Sequence, residues 1–537
     1  MKKIIDFFKK YGEYLFLFAF IAIAAVLRFS HITSLNFFTY DQARDALFVK
    51  RMLVDHEWRL LGTQTSLPGM YLPPFYYYTI ALVLWLFRLN PAGIDIYSAF
   101  VGVLTVPLIW FVANRIFGKP AGLFAAGLFA ASPLVVELTR RAWNPNTLPF
   151  FILLSFWFVY RFYQKRQTRD FLLSFAIYGY CLSLHFGAWT LLPLFAFTWF
   201  FYLFKVKRIA GLLGSLAILI FFVSPLLLFE LRHQFFLTSQ AKIFFFDGGH
   251  VGIKGAGFFE SLLSSLLALF TILFSGKIMV GYGAPLEFSG KIGEFFRSSS
   301  AISVVAQKPF SISWQWWGMA LFLGILAFSL WFFINGRKNK KNQSLFLPLV
   351  LIWVWIIWGI LTSRFYSGKF FFFYYLFLFP APFLLFGWLC QQFWTRKICR
   401  PLVILFFFLI IAFHLKNTTV FVREWRDLGD LQTVGRTIAE NVNQGEVFNI
   451  ATIQREVDRW DRNAVDYRYF TETFGGQRAL DWYPEDYEKA QFLFVVDEEG
   501  QSDVLKSNIM EILKFGPQKI LGRWELPENI VIYKLGK

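Results

Sequence analysis

The chain has 537 residues, of which 56% are hydrophobic and only 16% charged; phenylalanine alone accounts for 71, and the mean hydropathy is +0.49. A soluble chain of this length carries far more charge, and a membrane β-barrel would show alternating segments of about 10 residues instead of long apolar runs, so the composition excludes both and predicts a polytopic α-helical membrane protein. The net charge of +18 sits largely in short loops between apolar runs; that pattern reports orientation in a bilayer and argues against nucleic acid as a partner.

Four lysines, Lys2, Lys3, Lys9 and Lys10, precede the first apolar run and put the N-terminus on the cytoplasmic side. The run, about 12–29, is longer than a signal h-region and lacks a small-x-small cleavage site, so it reads as an uncleaved first span. It delivers Tyr40-Asp41-Gln42-Ala43-Arg44-Asp45-Ala46 to the outer face. Asp41 and Asp45 are four apart and share one face of a helix, with Arg44 beside them. Charge this close to hydrocarbon is costly and is often retained for function; a solvated juxtamembrane helix is the plainer alternative.

The next run, from Pro74 to Leu89, is short, follows Pro73 and carries Tyr76, Tyr77 and Tyr78 at its head. It reads as an interfacial helix, with aromatic tips at headgroup level. Spans then follow at about 95–117, 119–138, 147–163, 170–186, 189–204 and 209–229. Basic residues Arg115, Lys119, Arg161, Lys165, Arg166, Arg169, Lys205, Lys207 and Arg208 fall inside, and Arg140 to Asn146 and His185-Phe186-Gly187 fall outside. An outer segment, 230–311, contains one apolar run at about 259–276 that must be interfacial or re-entrant. Four more spans, about 312–335, 345–362, 369–390 and 400–416, bring the total to eleven, or thirteen if both surface helices cross. The three cysteines, Cys181, Cys390 and Cys399, lie in or beside apolar segments and form no C-x-x-C motif or evident disulfide framework.

From about 417 the composition changes, giving two predicted domains, 1–416 in the membrane (with outer loops of about 30–94 and 230–311) and 417–537 outside it. In the second, Val447 to Ile450, Phe492 to Val496 and Ile530 to Tyr533 read as strands, and Leu431 to Asn441 and Val504 to Leu513 have helical spacing. About 120 residues suffice for one small α/β domain. It contains no nucleotide-binding glycine loop.

This threading gathers polar residues on the outer face: Asp41, Arg44 and Asp45; Tyr76; Arg140, Arg141, Asn144 and Asn146; His185; Glu230, Arg232 and His233; and Tyr366, Lys369, Tyr374 and Tyr375. Carboxylates there can deprotonate an acceptor or bind a metal, cations can hold a phosphate, and aromatic rings can stack on a sugar or pack on a lipid tail. Taken singly, each has a plainer reading. Arg140-Arg141 can anchor the interface, Asn144 or Asn146 can cap the next helix, His185 can be structural, Glu230 and Arg232 can pair locally, and Tyr374 can pack. No residue cluster assigns a metal; a divalent cation is left open, and no other cofactor is called for.

Four pieces, in order, resemble the GT-C-fold glycosyltransferases that use polyprenyl-phosphate sugars, in particular the family 39-like group of protein O-mannosyltransferases and lipid A aminoarabinose transferases. An acidic residue in the first outer loop is matched by Asp41. A Pro-Pro-(Leu/Phe)-Tyr-Tyr surface helix is matched by Pro73-Pro74-Phe75-Tyr76-Tyr77, and a frequent Arg-x-Phe-Gly turn by Arg115-Ile116-Phe117-Gly118. A second-loop Arg with an acid about five later is approximated by Arg141 to Asn146. The last departs from the family: Asn146 replaces the acid, and an amide is no carboxylate base. The likeness covers roughly 10–235 and says nothing specific of the C-terminal domain.

The resemblance implies an inverting transferase; the short loops and the lack of a recognised eukaryotic targeting feature suggest a bacterial inner membrane, and the threading places the C-terminal domain outside it. It implies that Arg140, Arg141, Arg232 or Lys369 hold the donor phosphate. Asp41, with Glu230 as the second carboxylate, would deprotonate or orient the hydroxyl of a glycan, lipid or protein acceptor, and the remaining polar residues would bind substrate. The alternatives are a transporter of lipid-linked sugars, against which no repeat is found, and a non-catalytic scaffold, which the Asn146 departure favours.

Overall fold

The computed structural model describes residues 2–34, 38–65, 69–247, 258–279, 286–288, 302–304, 311–336, 343–363, 365–366, 371–421, 425–455, 462–500 and 502–537. Its N-terminal three quarters is a helix bundle. The first helices are α1 (Lys2–Phe29), α2 (Tyr40–Val54), α3 (Phe75–Leu86), α4 (Ala92–Phe117), α5 (Lys119–Ala131) and α6 (Pro133–Thr139). They are followed by α7 (Leu148–Lys165), α8 (Thr168–Cys181), α9 (Phe186–Trp189), α10 (Leu192–Lys205), α11 (Ile209–Arg232), α12 (Phe236–Lys242) and α13 (Phe258–Ser275). The bundle closes with α14 (Trp316–Asn335), α15 (Gln343–Ser363), α16 (Pro380–Trp394) and α17 (Arg400–Lys416).

Among the described residues, seven helices are long and apolar enough to cross a membrane, and up to nine if two bent pairs each count as one span. The protein is therefore a multi-pass membrane protein. At two further expected spans, about 147–163 and 170–186, lie the helices α7 and α8, of 18 and 14 residues, which are not among those long and apolar enough to cross. The bent pairs have a local cause. α5 and α6 meet at 66° where Ser132 precedes Pro133, and the 3-10 turn Phe372–Leu378 meets α16 at 56° where Phe379 precedes Pro380. Proline lacks the N–H that would continue a helix and disfavours helical geometry in the residue before it.

Between α4 and α5 the chain reverses at Gly118, whose φ of 108° is open to glycine at no steric cost. The small residues of α5 let α16 approach closely: a Cβ on Gly387 would stand 2.4 Å from the Ala121 carbonyl oxygen. Helix α3 has only 12 residues, about 18 Å, too short to span. Its Tyr76 and Tyr77, expected at headgroup level, are instead buried among protein side chains. Helix α13 is not a surface helix. Leu267 to Leu273 is enclosed by the bundle, and the helix runs antiparallel to α14: Ser275 Oγ contacts the backbone of Gln315 at 3.0 Å, while Phe270 meets Phe322 at 4.7 Å.

Two short antiparallel pairs follow α13: β1 (Lys277–Met279) with β4 (Ser311–Ser313), and β2 (Leu286–Phe288) with β3 (Ile302–Val304). The C-terminal unit holds a four-stranded sheet of β5 (Phe448–Ile453), β6 (Phe492–Asp497), β7 (Lys519–Glu525) and β8 (Val531–Gly536), in the order β5-β6-β8-β7. β5 and β6 are parallel and the other pairs antiparallel. Around it lie α18 (Leu428–Glu440), α19 (Val465–Gly475), α20 (Pro484–Lys489) and α21 (Met510–Phe515). The predicted helix over 504–513 is instead a 3-10 turn at Val504–Lys506 and the short α21. Ser507 and Ile509 have extended backbone between them.

Helix α19 seats this unit on α2. Phe38 packs edge-on to Tyr469 and Phe470, Trp482 stacks on Phe48, and Tyr469 donates to the Leu89 carbonyl at 2.6 Å. One hydrophobic core runs from the bundle through this contact to Val434 and Ile438 of α18.

Candidate functional site

Helix α2 forms one wall of a large cavity. Its start is fixed by Gln42, whose Oε1 accepts the Thr39 N–H at 2.9 Å. One turn further, Asp45 is buried and takes a hydrogen bond from Tyr77 at 2.9 Å. Arg44 donates to the same carboxylate through Nε at 3.0 Å and Nη2 at 2.8 Å, and its Nη1 holds Asp41 Oδ1 at 2.9 Å. Burial raises the Asp45 pKa, which Arg44 only partly offsets. Burial also opposes the Arg44 charge, yet Asp45 and Asp41 together hold its pKa well above the ordinary value. The outcome is a chain from Tyr77 through Asp45 and Arg44 to Asp41. Asp41 is its exposed end, with its side chain 37% accessible at the cavity.

The second wall comes from α6 and the turn after it. Glu137 and Arg141, one helical turn apart, form an ion pair, and Glu137 Oε2 also accepts from Thr419 at 2.9 Å. The carboxylate of Asp95 accepts the Ala142 N–H at 2.6 Å and sets the backbone here. The 3-10 turn Asn144–Thr147 holds two amides inward. Asn144 Nδ2 donates to Leu184 O at 2.5 Å and Asn146 Nδ2 to Arg141 O at 2.9 Å. Asn146 Oδ1, buried at the cavity wall, takes no hydrogen bond from the described residues. His185 caps α9 by accepting the Gly187 N–H at Nδ1, 3.0 Å away, and lies against Tyr374. Desolvation pushes its pKa down to about 4, so the ring is neutral near pH 7.

Glu230 completes the polar rim. Its carboxylate accepts from Leu237 N (2.5 Å), Thr238 N (2.9 Å) and Thr238 Oγ1 (2.5 Å), so it ties the chain into α12. Beyond it the wall is apolar, with Leu226, Leu227, Leu237, Phe244 and Phe245. The whole encloses about 1180 Å³, enough for a drug-sized or larger ligand.

Of the residues singled out in the sequence, Asp41, Arg44, Arg141, Asn144, Asn146, His185, Glu230, Tyr366 and Tyr374 line this one cavity. Six described ones do not, among them His233, which is exposed, and Tyr375, whose buried hydroxyl meets Ser363 Oγ at 2.7 Å. Asp45 and Tyr76 are buried behind the wall, 3% and 2% exposed. Arg140 is also buried and donates to the backbone carbonyls of Ser30 (2.7 Å) and Val420 (3.5 Å), a packing role. Arg232, two residues after the buried Glu230, is exposed on the exterior. Lys369 lies outside the described residues. Glu137 was missed, although its position four residues before Arg141 is the spacing of a helical ion pair. Among the described residues, no three His, Cys, Asp or Glu side chains converge as a metal site would need.

Three comparisons bear on this arrangement. Residues 72–229 match the sequence profile of the dolichyl-phosphate-mannose-protein mannosyltransferase family. That stretch includes Glu137, Arg141, Asn144, Asn146 and His185, and begins after Asp41. A putative mannosyltransferase of Bacillus subtilis (strain 168), YkcB, is 27% identical over 153 residues, which are 27% of this chain and 21% of that protein. The match thus spans about a fifth of the curated relative. Among solved structures, ArnT from Cupriavidus metallidurans bound to undecaprenyl phosphate superposes with a TM-score of 0.57 at 13% identity, over 97% of each chain. The oligosaccharyltransferase AglB from Archaeoglobus fulgidus, in complex with an inhibitory peptide and a dolichol-phosphate, gives 0.51 at 13% identity, over 91% of this chain and 70% of that one. The chain therefore has the GT-C fold.

Proposed function

We propose that the protein is an inverting glycosyltransferase that moves a sugar from a polyprenyl-phosphate donor to an acceptor hydroxyl on the extracytoplasmic side of a bacterial plasma membrane. The observation that carries this reading is the position of Asp41. It is the cavity carboxylate that is open to a ligand, held at one oxygen by Arg44, at the junction of a polar rim and an apolar wall. Glu137 and Glu230 have most of their accepting capacity taken by protein donors. The mannosyltransferase profile over 72–229 and the polyprenyl phosphate in the ArnT structure support the donor class.

In this reading the isoprenoid chain lies along Leu226, Leu227 and Phe244, and its phosphate reaches the polar rim. Arg141, which can exchange Glu137 for a phosphate oxygen, is the cation placed to hold it. Asp41 takes the proton of the acceptor hydroxyl as the oxygen bonds to the anomeric carbon. The bond from that carbon to the phosphate oxygen breaks with inversion. The electron pair leaves on the lipid phosphate, whose added charge Arg141 stabilises. His185, neutral at working pH, is a hydrogen-bonding and stacking group in this scheme and not a cation.

The test is release of polyprenyl phosphate from a panel of synthetic polyprenyl-phosphate hexoses and pentoses, by purified protein in lipid nanodiscs with a membrane extract as acceptor source. Consumption of at least one donor with transfer of its label supports the reading. Absence of both donor binding and turnover across the panel contradicts it.

A further inference from the structure

The membrane edge opposite the cavity carries a second concavity. Helix α7, which starts just after the cavity residue Asn146, runs roughly 27 Å to Lys165 at about 1.5 Å per residue, and α10 runs roughly 21 Å from the cavity residue Leu192 to Lys205. The turns that follow, into α8 and α11, meet side by side. Each passes through a left-handed residue, Arg166 at φ 54° and Lys207 at φ 59°. They are pinned to one another by Thr168 Oγ1 and Tyr202 Oη at 2.9 Å, and by the Phe171 and Tyr202 rings stacked at 4.1 Å.

Between the turns lies a cleft of about 540 Å³ whose lining includes Arg166, Gln167, Thr168, Arg169, Lys205 and Arg208. The four cations make no ion pair among the described residues. The nearest acid in the chain, Asp170, is buried and turned to Arg161 at 3.3 Å. Orientation by positive charge in loops accounts for cations at this edge. It does not account for four of them around one recess with no acid in its lining. Two helices also begin here, and neither N-cap residue, Gln167 nor Arg208, closes its helix with a side-chain bond. Their first N–H groups add to the positive field. Next to the cleft cations in sequence, Phe204 and Ile209 stand 67% and 70% exposed, each at the end of a helix apolar enough to cross a membrane.

We propose that this cleft binds the phosphate of an anionic phospholipid from the leaflet opposite the cavity, with the lipid's acyl chains running along Phe204 and Ile209. Basic recesses between membrane helices suit such headgroups, and the apolar flank selects a lipid over a soluble phosphate. The site is separate from the cavity and stands whether or not the transferase reading does.

The experiment uses the full-length protein in vesicles of phosphatidylcholine containing a photoactivatable phosphatidylglycerol, or instead a photoactivatable phosphatidylcholine. Crosslinked peptides are then mapped. The expected result is phosphatidylglycerol adducts within 162–171 and 202–211, about tenfold over phosphatidylcholine, weakened by high salt and unchanged by millimolar inorganic phosphate. A second arm uses the variant R166Q/R169Q/K205Q/R208Q, checked for an unchanged melting temperature in neutral detergent, which should lose the preference. Equal labelling by the two lipids, adducts only elsewhere, or displacement by inorganic phosphate would each overturn the assignment. If the variant does not fold, the mapping on the native chain decides alone.

Discussion

Arg51 of α2 and Glu472 of α19 are 421 positions apart in sequence and form a two-pronged ion pair, Nε to Oε2 at 3.2 Å and Nη2 to Oε1 at 2.6 Å, with both side chains almost fully buried. Asp481 adds a third contact to the same guanidinium at 2.7 Å. This pair locks the C-terminal unit to the helix that carries Asp41. Removing one partner of a buried pair leaves an uncompensated charge. Glu472→Ala should therefore cost about 3 kcal/mol, seen as a lower melting temperature and as faster proteolytic release of the C-terminal unit. An unchanged melt and digest would show that the apolar contacts of Phe38 and Trp482 hold the unit without the pair.

Tyr77 acts on Asp41 at a distance, through Asp45 and Arg44. Tyr77→Phe removes a hydrogen bond to a buried carboxylate, a contact worth about 1.5–3 kcal/mol. Turnover should fall about tenfold with little change in donor KM, because Arg44 loses its fixed position while the donor contacts remain. A pure loss of stability with unchanged kcat would confine Tyr77 to packing.

The two carboxylates singled out from the sequence should separate in mutagenesis. Glu230→Gln keeps one acceptor oxygen for the donors of Leu237 and Thr238 but loses charge-assisted bonds. It should lower the melting temperature and leave turnover within a few-fold of wild type. Loss of turnover as deep as that of an Asp41 variant would make Glu230 the base.

His185 gives a pH signature. Its folded-state pKa, about 4 against an ordinary 6.5, means that the unfolded chain binds the proton more tightly. Stability is therefore fully present above about 6.5 and is lost as the pH falls toward 4. The melting temperature of wild type should drop over this interval more than that of His185→Gln. Parallel curves would show that the imidazole is solvated.

Composition, the run of spans and the position of Asp41 were legible in the sequence because each rests on local pattern: apolar length, basic loops, and an acidic stretch after the first span. Arg140 and Arg141 show where that legibility stops. They are adjacent and identical in type, yet one is spent on the Ser30 and Val420 carbonyls and the other reaches the cavity. That division depends on the bend at Ser132-Pro133, which periodicity does not report. Tyr76 and Tyr77 read as interfacial anchors because tyrosine prefers headgroups, but both are buried, Tyr77 against Phe48 and Asp45 of α2. Strand β7 was missed because it is an edge strand with mostly exposed, charged positions such as Lys519, Arg523 and Glu525. The enclosed run of α13 reads the same in sequence as a surface helix, since both are apolar and short.

The central claim is that Asp41 carries the proton of the acceptor. The most direct measurement is single-turnover transfer of labelled sugar from a donor that the wild type consumes, with Asp41→Asn and Asp41→Glu beside it and donor affinity measured separately. The account predicts that Asp41→Asn binds donor normally and transfers about 10²–10⁴-fold more slowly, with partial recovery in Asp41→Glu. Transfer at the wild-type rate by a folded Asp41→Asn would contradict it.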